Sequence, residues 1–122
     1  MNTNIYNGPS EDPFLGIIQD LNRRNLEVAW LIVNQQWKEA RAAIEEILMD
    51  CCQKLPRKHW MGGRLRSTLA HIQLTQGEAQ DALTNLEAAE KLVREFPQIC
   101  YTDQRVIEAL LKQARGQLGC RA

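Results

Sequence analysis

Apolar residues recur at spacings of three and four along most of the chain, which is the period of helices that bury one face. The stretch from residue 12 to 35 is the densest in apolar residues, which predicts a central, largely buried helix; its polar interval 22–25 either kinks this helix or splits it in two. Further helices are predicted over Trp37 to Lys54, Trp60 or Met61 to Gln76, Ala79 to Phe96, and Thr102 or Asp103 to Leu118. The predicted fold class is therefore all-α, with about five helices that form two antiparallel hairpins and a C-terminal capping helix.

Helix-start and helix-stop residues stand at the ends of these segments. Asp12 and Pro13 are a typical helix start, since the aspartate accepts from a free N–H and proline needs no donor in the first turn. Pro56 and Pro97 end two helices, and Gly77 provides the positive φ of a tight turn. Residues 1–11 have little apolar surface to bury, so we expect a flexible tail before one domain over residues 12–122.

The two hairpins repeat in sequence. A shift of 42 positions (79 minus 37) aligns the second helix of each hairpin and pairs Trp37 with Ala79, Ala40 with Ala82, Ile44 with Leu86 and Ile47 with Ala89. Small residues at Ala40 and Ala82 suit a close approach of two helices after a short turn. The pattern predicts two copies of one helical unit.

The second unit carries the spaced small and bulky residues of a known repeat: Leu69, Ala70, Gly77, Ala82, Leu86, Ala89 and Pro97. Over Arg66 to Pro97 the chain resembles the tetratricopeptide repeat, and the first hairpin shares its spacing, with Gln35 where the turn glycine stands. The resemblance implies a right-handed stack of hairpins that binds a peptide or a partner protein in a groove lined by the first helix of each hairpin. Gln73, which replaces an aromatic residue of the repeat, joins the predicted partner-binding residues.

The chain has 15 basic and 15 acidic side chains and a formal net charge of zero, so no overall field attracts nucleic acid or an anionic membrane. Its longest apolar run, Val28 to Val33, is far shorter than the roughly 20 residues of a membrane span. Met1 to Ser10 lack the basic and apolar segments of a signal peptide, so we expect a cytoplasmic location and reduced thiols.

One basic stretch stands out, with Arg57, Lys58, His59 and Trp60 followed by Arg64 and Arg66. Positive charge beside an aromatic ring suits phosphate, an acidic peptide or nucleic acid. The alternative is a solvated loop and helix start in which Trp60 packs against the core. Because the chain is neutral overall, an acidic partner segment is favoured over nucleic acid.

Trp30 is the first candidate for an interface, because it lies on an already apolar helix and offers a large contact area. Trp37 is expected mainly inside, by analogy with Ala79. Two hairpins make a short stack, since about three repeats are usually needed for a stable one. The long first helix or a second copy of the chain is expected to complete it, so a homo-oligomer is one possible assembly.

The residue types needed for chemistry do not form a recognisable pattern. Cys51, Cys52, Cys100 and Cys120 are interpreted as free thiols, with Cys51 buried and with Cys52 and Cys120 exposed and oxidisable. No CxxC or HxxxH spacing indicates a metal site, and no cofactor is expected. The carboxylates lie on the wet faces of amphipathic helices, so no catalytic residues are assigned.

Three functions remain as hypotheses. The favoured one is a non-enzymatic protein–protein interaction module, such as an adaptor, a chaperone or an inhibitor. Its predicted partner-binding residues are Trp30, Arg57, Lys58, Trp60, Arg64, Arg66 and Gln73. The alternatives are a nucleic-acid-associated regulator that uses the basic patch 57–66, and a small thiol redox protein that uses Cys51 and Cys52.

Overall fold

The computed structural model describes residues 13–119, and within that range it contains five α-helices and no strand. They are α1 (Leu15–Val33), α2 (Trp37–Lys54), α3 (Trp60–Thr75), α4 (Ala79–Arg94) and α5 (Tyr101–Gly119). The all-α prediction is confirmed. The predicted tail over residues 1–11, the helix start at Asp12 and the exposure of Cys120 lie outside the described residues. No helix in the described range is both long and apolar enough to cross a membrane.

The helices pack in chain order, and α3 occupies the centre because it contacts all four other helices. Contacts of α1 with α3 and of α3 with α5 place these three helices side by side, with α2 and α4 packed against them. The prediction that the first helix is the central, largely buried one is wrong. Only Leu21 and Val28 of α1 are fully buried, because its apolar residues are spread over two faces and one of these faces solvent.

The polar interval 22–25 does not interrupt α1, which is one continuous helix. Its side chains instead connect α1 to its neighbours. The guanidinium of Arg24 donates to the carboxylate of Asp50 on α2 at 2.8 Å, and the Asn22 side-chain oxygen accepts from Arg64 on α3 at 3.0 Å. A hydrogen bond to a carboxylate stabilises the charged form of an arginine. The contact with Asp50 therefore raises the pKa of Arg24.

The sequence repeat has a counterpart in the backbone. Helices α2 and α4 begin 42 residues apart, as do the ends of α1 and α3 (75 minus 33). In each hairpin turn two N–H groups bond back to the preceding helix as in a Schellman motif: Gln36 to Leu31 and Gln35 to Ile32 in the first, Glu78 to Gln73 and Gly77 to Leu74 in the second. The residue in the left-handed conformation is Gly77 (φ 83°) in one turn and Gln35 (φ 60°) in the other.

A glycine at position 35 should therefore stabilise the fold. The left-handed conformation costs a residue with a Cβ roughly 1 to 2 kcal/mol, partly offset by the greater freedom of glycine in the unfolded chain. We expect Gln35→Gly to raise the free energy of unfolding by about 0.5 to 1 kcal/mol in urea titrations, and Gly77→Gln to lower it by about 1 kcal/mol. The control is Ala42→Gly at an exposed position inside α2, where the backbone is helical and glycine costs stability. That variant should lose stability, and a similar loss in Gln35→Gly would contradict this account.

Candidate functional site

A group of five cations lies where the connector between α2 and α3 meets the end of α4. Arg57 and Lys58 are exposed in the connector, and Arg66 lies one and a half turns into α3. They line a groove together with Lys91 and Arg94 of α4. We call this surface the basic groove. It has a volume of about 670 Å³, and Ala88 and Leu92 supply its apolar wall.

Local backbone structure fixes the two sides of the basic groove. In the connector the His59 N–H donates to the Pro56 carbonyl at 3.0 Å, and the Nδ1 atom of His59 accepts from the Met61 N–H at 3.0 Å, which caps α3. On the other side, Lys91 and Arg94 belong to the last turn of α4, where cations interact favourably with the unpaired carbonyl groups. The antiparallel hairpin then brings the start of α3 beside the end of α4.

The charge of the basic groove is strongly positive for a neutral chain. Five cations line it against the two carboxylates of Glu87 and Glu95, a balance of plus three (5 minus 2). Glu87 is drawn toward Arg115 of α5 at 3.9 Å, and Arg94 contacts Glu90 at 3.4 Å. These pairs are exposed and weak, so they leave the cations available to another ligand.

A second, less polar groove adjoins the first. Its walls come from α2, α3 and α4, its volume is about 360 Å³, and its apolar residues are Leu48, Met49 and Leu69. Arg66 lines both grooves, and its guanidinium donates to the side-chain oxygen of Asn85 at 3.0 Å. The two grooves therefore form one surface with a basic end and an apolar end, and Arg66 stands at their junction.

Two residues of the predicted partner-binding set are engaged inside the protein instead. Gln73 is only 5% exposed, and its side-chain oxygen accepts from the Asn85 amide at 2.9 Å between α3 and α4. Arg64 binds the carboxylate of Asp103 on α5, with Nε–Oδ1 at 3.0 Å and a terminal nitrogen 2.9 Å from Oδ2. Both side chains satisfy internal partners, so we assign them to the packing of helices.

The three tryptophans have different environments. Trp60 is half-buried between the two hydrophobic clusters of the protein, and the Arg64 guanidinium lies 4.8 Å from its ring centre. Trp60 is not among the residues that line the basic groove. Trp37 is half-buried rather than mainly inside, with its ring 6.3 Å from that of exposed His71. Trp30 is exposed on α1, on a different surface from the basic groove.

The cysteines of the described range are all free thiols. Cys51 is buried and Cys52 is exposed, which confirms both predictions. Burial raises the pKa of Cys51 to about 11, and burial together with the nearby Asp103 carboxylate raises that of Cys100 to about 11. Within residues 13–119 no cluster of three or more His, Cys, Asp or Glu side chains has the arrangement of a metal site.

Lys91 and Arg94 of the fourth helix were missed by sequence reasoning, which assigned them no binding role. The hairpin prediction already contained the necessary signal. In an antiparallel hairpin, the end of the fourth helix lies beside the start of the third, where the basic stretch is. Comparison of the chain with protein-family models, curated proteins and solved structures finds no match. The resemblance to the tetratricopeptide repeat therefore stays a prediction, and the geometry of the two grooves is the evidence for a function.

Proposed function

We propose that this protein is a non-catalytic protein–protein interaction module, of the kind that serves as adaptor, chaperone or inhibitor, and that its basic groove binds an acidic segment of a partner protein. The observation that carries the proposal is the convergence of five cations from the connector, α3 and α4 beside an apolar wall, in a chain without net charge. The 42-residue repeat and the contacts among α1, α3 and α5 support a tetratricopeptide-like stack. The free thiols favour a reducing, cytoplasmic setting.

The chemistry of the two adjoining grooves defines the segment that would fit. Arginine offers a planar fork of donors that pairs with carboxylates through two parallel hydrogen bonds, and Arg57, Arg66 and Arg94 all lie at the basic end. The apolar end has exposed Met49 beside Leu48, which suits one or two large apolar side chains. A partner segment that combines acidic residues with an apolar anchor would match both ends.

Nucleic acid fits this surface less well. Proteins that bind single strands combine positive charge with aromatic side chains on which bases stack. No aromatic residue lines the basic groove as the structure describes it, and the carboxylates of Glu87 and Glu95 would face the phosphates. For the thiol redox hypothesis, a pKa near 11 keeps Cys51 protonated at neutral pH and makes it a poor nucleophile, so exposed Cys52 is the reactive thiol of that pair.

Selection from a displayed library of random 16-residue peptides tests the proposal, because it requires no partner to be chosen in advance. With the wild-type protein as bait, the enriched peptides should carry net negative charge and at least one large apolar residue. Their affinity should fall as salt rises, because exposed charge pairs are screened. Enrichment of basic or neutral peptides, or a gel shift of a single-stranded oligonucleotide at low salt, would contradict it.

Charge reversal then locates the binding surface. In Arg57→Glu/Lys91→Glu, one cation on each side of the basic groove is replaced, and we expect the affinity for an enriched peptide to fall roughly ten- to hundredfold. The matched control is Arg105→Glu/Lys112→Glu, which makes the same change in net charge on exposed residues of α5. Equal losses in both variants would mean that overall charge, and not the groove, determines binding.

A further inference from the structure

A stripe of exposed apolar side chains runs along the outer face of α1. The solvent-facing positions Gln19, Arg23, Leu26, Trp30 and Val33 follow one another at alternating spacings of four and three, which is the heptad spacing of helix pairs. Its last three positions are apolar, with Leu26 65%, Trp30 68% and Val33 70% exposed. We call Leu26, Trp30 and Val33, with Ala29 beside them, the α1 seam.

The two ends of the stack differ in character. A helical stack keeps its terminal units soluble by giving them polar outer faces. Most exposed positions of α5 fit that rule, among them Thr102, Arg105, Glu108, Lys112, Gln113 and Arg115, and its exposed large apolar side chains are Tyr101 and Val106. The outer face of α1 does not fit it, because the chain carries no charged side chain from Val28 through Trp37. The outer face of α1 therefore has the composition of a contact surface and not that of a polar terminal face.

From these observations we infer that the α1 seam is the interface of a homodimer, in which α1 packs antiparallel against α1 of a second copy. A two-fold axis midway between Leu26 and Trp30 places Leu26 of each copy against Trp30 of the other. The same axis sets Glu27 opposite Ala29 and Arg23 opposite Val33. No like charges meet, and a surface that pairs with its own copy must satisfy this condition.

Charges next to the seam are already neutralised within each copy. Arg23 bonds to Asp20 at 2.7 Å and to Glu27 at 2.9 Å, and Arg24 also bonds to Asp20 at 3.3 Å. These two arginines and two carboxylates are the charged residues of α1, and their charges sum to zero. A partner with a strong charge of either sign would gain nothing here, whereas a second copy brings the same neutral face. The seam is separate from the basic groove, so the dimer is independent of the proposed function.

The area of the seam is small for a protein–protein interface, and small interfaces are typical of weak, reversible association. The exposed parts of its three large side chains amount to on the order of 400 Å² per copy, comparable with the largest apolar patch of a typical monomer. With the flanking polar residues, two copies reach the lower range of specific interfaces, about 1,200 Å² in total. We therefore expect a reversible dimer with a dissociation constant of roughly 10 to 100 µM.

Sedimentation equilibrium or light scattering over about 5 to 300 µM of the full chain tests this inference. The weight-average molecular mass should rise with concentration from 14.0 kDa toward twice that value. Trp30→Glu should stay monomeric over the whole range, and Leu26→Glu provides a second variant if the first does not fold. The matched control is Val106→Glu on α5, also an exposed apolar residue, which should dimerise as the wild type does. A wild type that stays monomeric, or a dimer that survives Trp30→Glu, would overturn the inference.

Discussion

Replacing Gly63 with alanine is expected to lower the free energy of unfolding by about 2 kcal/mol, although alanine is the better helix former. A Cβ atom at this position of α3 would meet three atoms of α4: Val93 Cγ1 at 2.7 Å, the Ala89 carbonyl oxygen at 3.0 Å and Leu92 Cβ at 3.2 Å. A backbone oxygen cannot move aside as a flexible side chain can, so α3 and α4 must separate. Overpacking of this kind costs up to about 3 kcal/mol, against a gain of about 1 kcal/mol in helix propensity.

The adjacent Gly62 is the matched control for this substitution. A Cβ there would lie 3.5 Å from Leu92 Cδ1, an ordinary contact, so Gly62→Ala should raise stability by about 0.5 to 1 kcal/mol. Urea unfolding followed by circular dichroism measures both variants. The two substitutions should therefore change the free energy of unfolding in opposite directions, although the glycines are neighbours in one helical turn. Two stabilised variants would show that α3 and α4 are not in close contact at Gly63.

Asp103→Asn should be destabilising by about 2 to 3 kcal/mol, because it leaves the charge of Arg64 without its counterion in a largely buried site. The side chains of Arg64 and Asp103 are 22% and 11% exposed, and the guanidinium also donates to Asn22. One arginine of the central helix thus joins α1 to α5. When Arg64 loses its partner Asp103, the stability of the whole fold should fall, and the effect should not be confined to one helix end.

An exposed ion pair provides the comparison for Asp103. Glu90→Gln removes the partner of Arg94, whose side chain is 67% exposed, and should change stability by less than about 0.5 kcal/mol. Both variants keep the shape of the side chain and remove one negative charge. The double substitution Arg64→Leu/Asp103→Leu should be more stable than Asp103→Asn, since it removes the unpaired charge. Equal effects of Asp103→Asn and Glu90→Gln would contradict a structural role for this pair.

Local patterns were enough to predict the helices and the repeat. The helix ends follow from Pro56, Gly77 and Pro97, and the buried pairs Ala40/Ala82 and Ile44/Leu86 follow from the 42-residue shift. The position of each helix in the stack did not follow. A dense apolar helix such as α1 can be central or can carry a second apolar face for a partner, and the sequence contains the same residues in both cases.

The candidate site was predicted in part, for a similar reason. Arg57, Lys58 and Arg66 do line the basic groove, whereas Lys91 and Arg94 join it through packing of α3 against α4. Arg64 was predicted to belong to the same basic patch because it is close in sequence to the other cations. Its position on the other side of α3 turns it toward Asp103, which lies 39 residues away in the chain. The pattern of charges in the sequence identifies candidate cations. Which of them share a surface depends on the face of the helix that each one occupies and on how the helices pack.

If the basic groove is the partner-binding surface, amide chemical-shift mapping should place a bound peptide there. The probe is a peptide enriched in the library selection, titrated into the ¹⁵N-labelled chain of 122 residues. We expect the perturbed amides to concentrate in the connector at Arg57 and Lys58, around Arg66, and in the last turn of α4 from Lys91 to Arg94. Perturbations confined to the α1 seam, or to the surface around Trp60 and Arg64, would contradict the account.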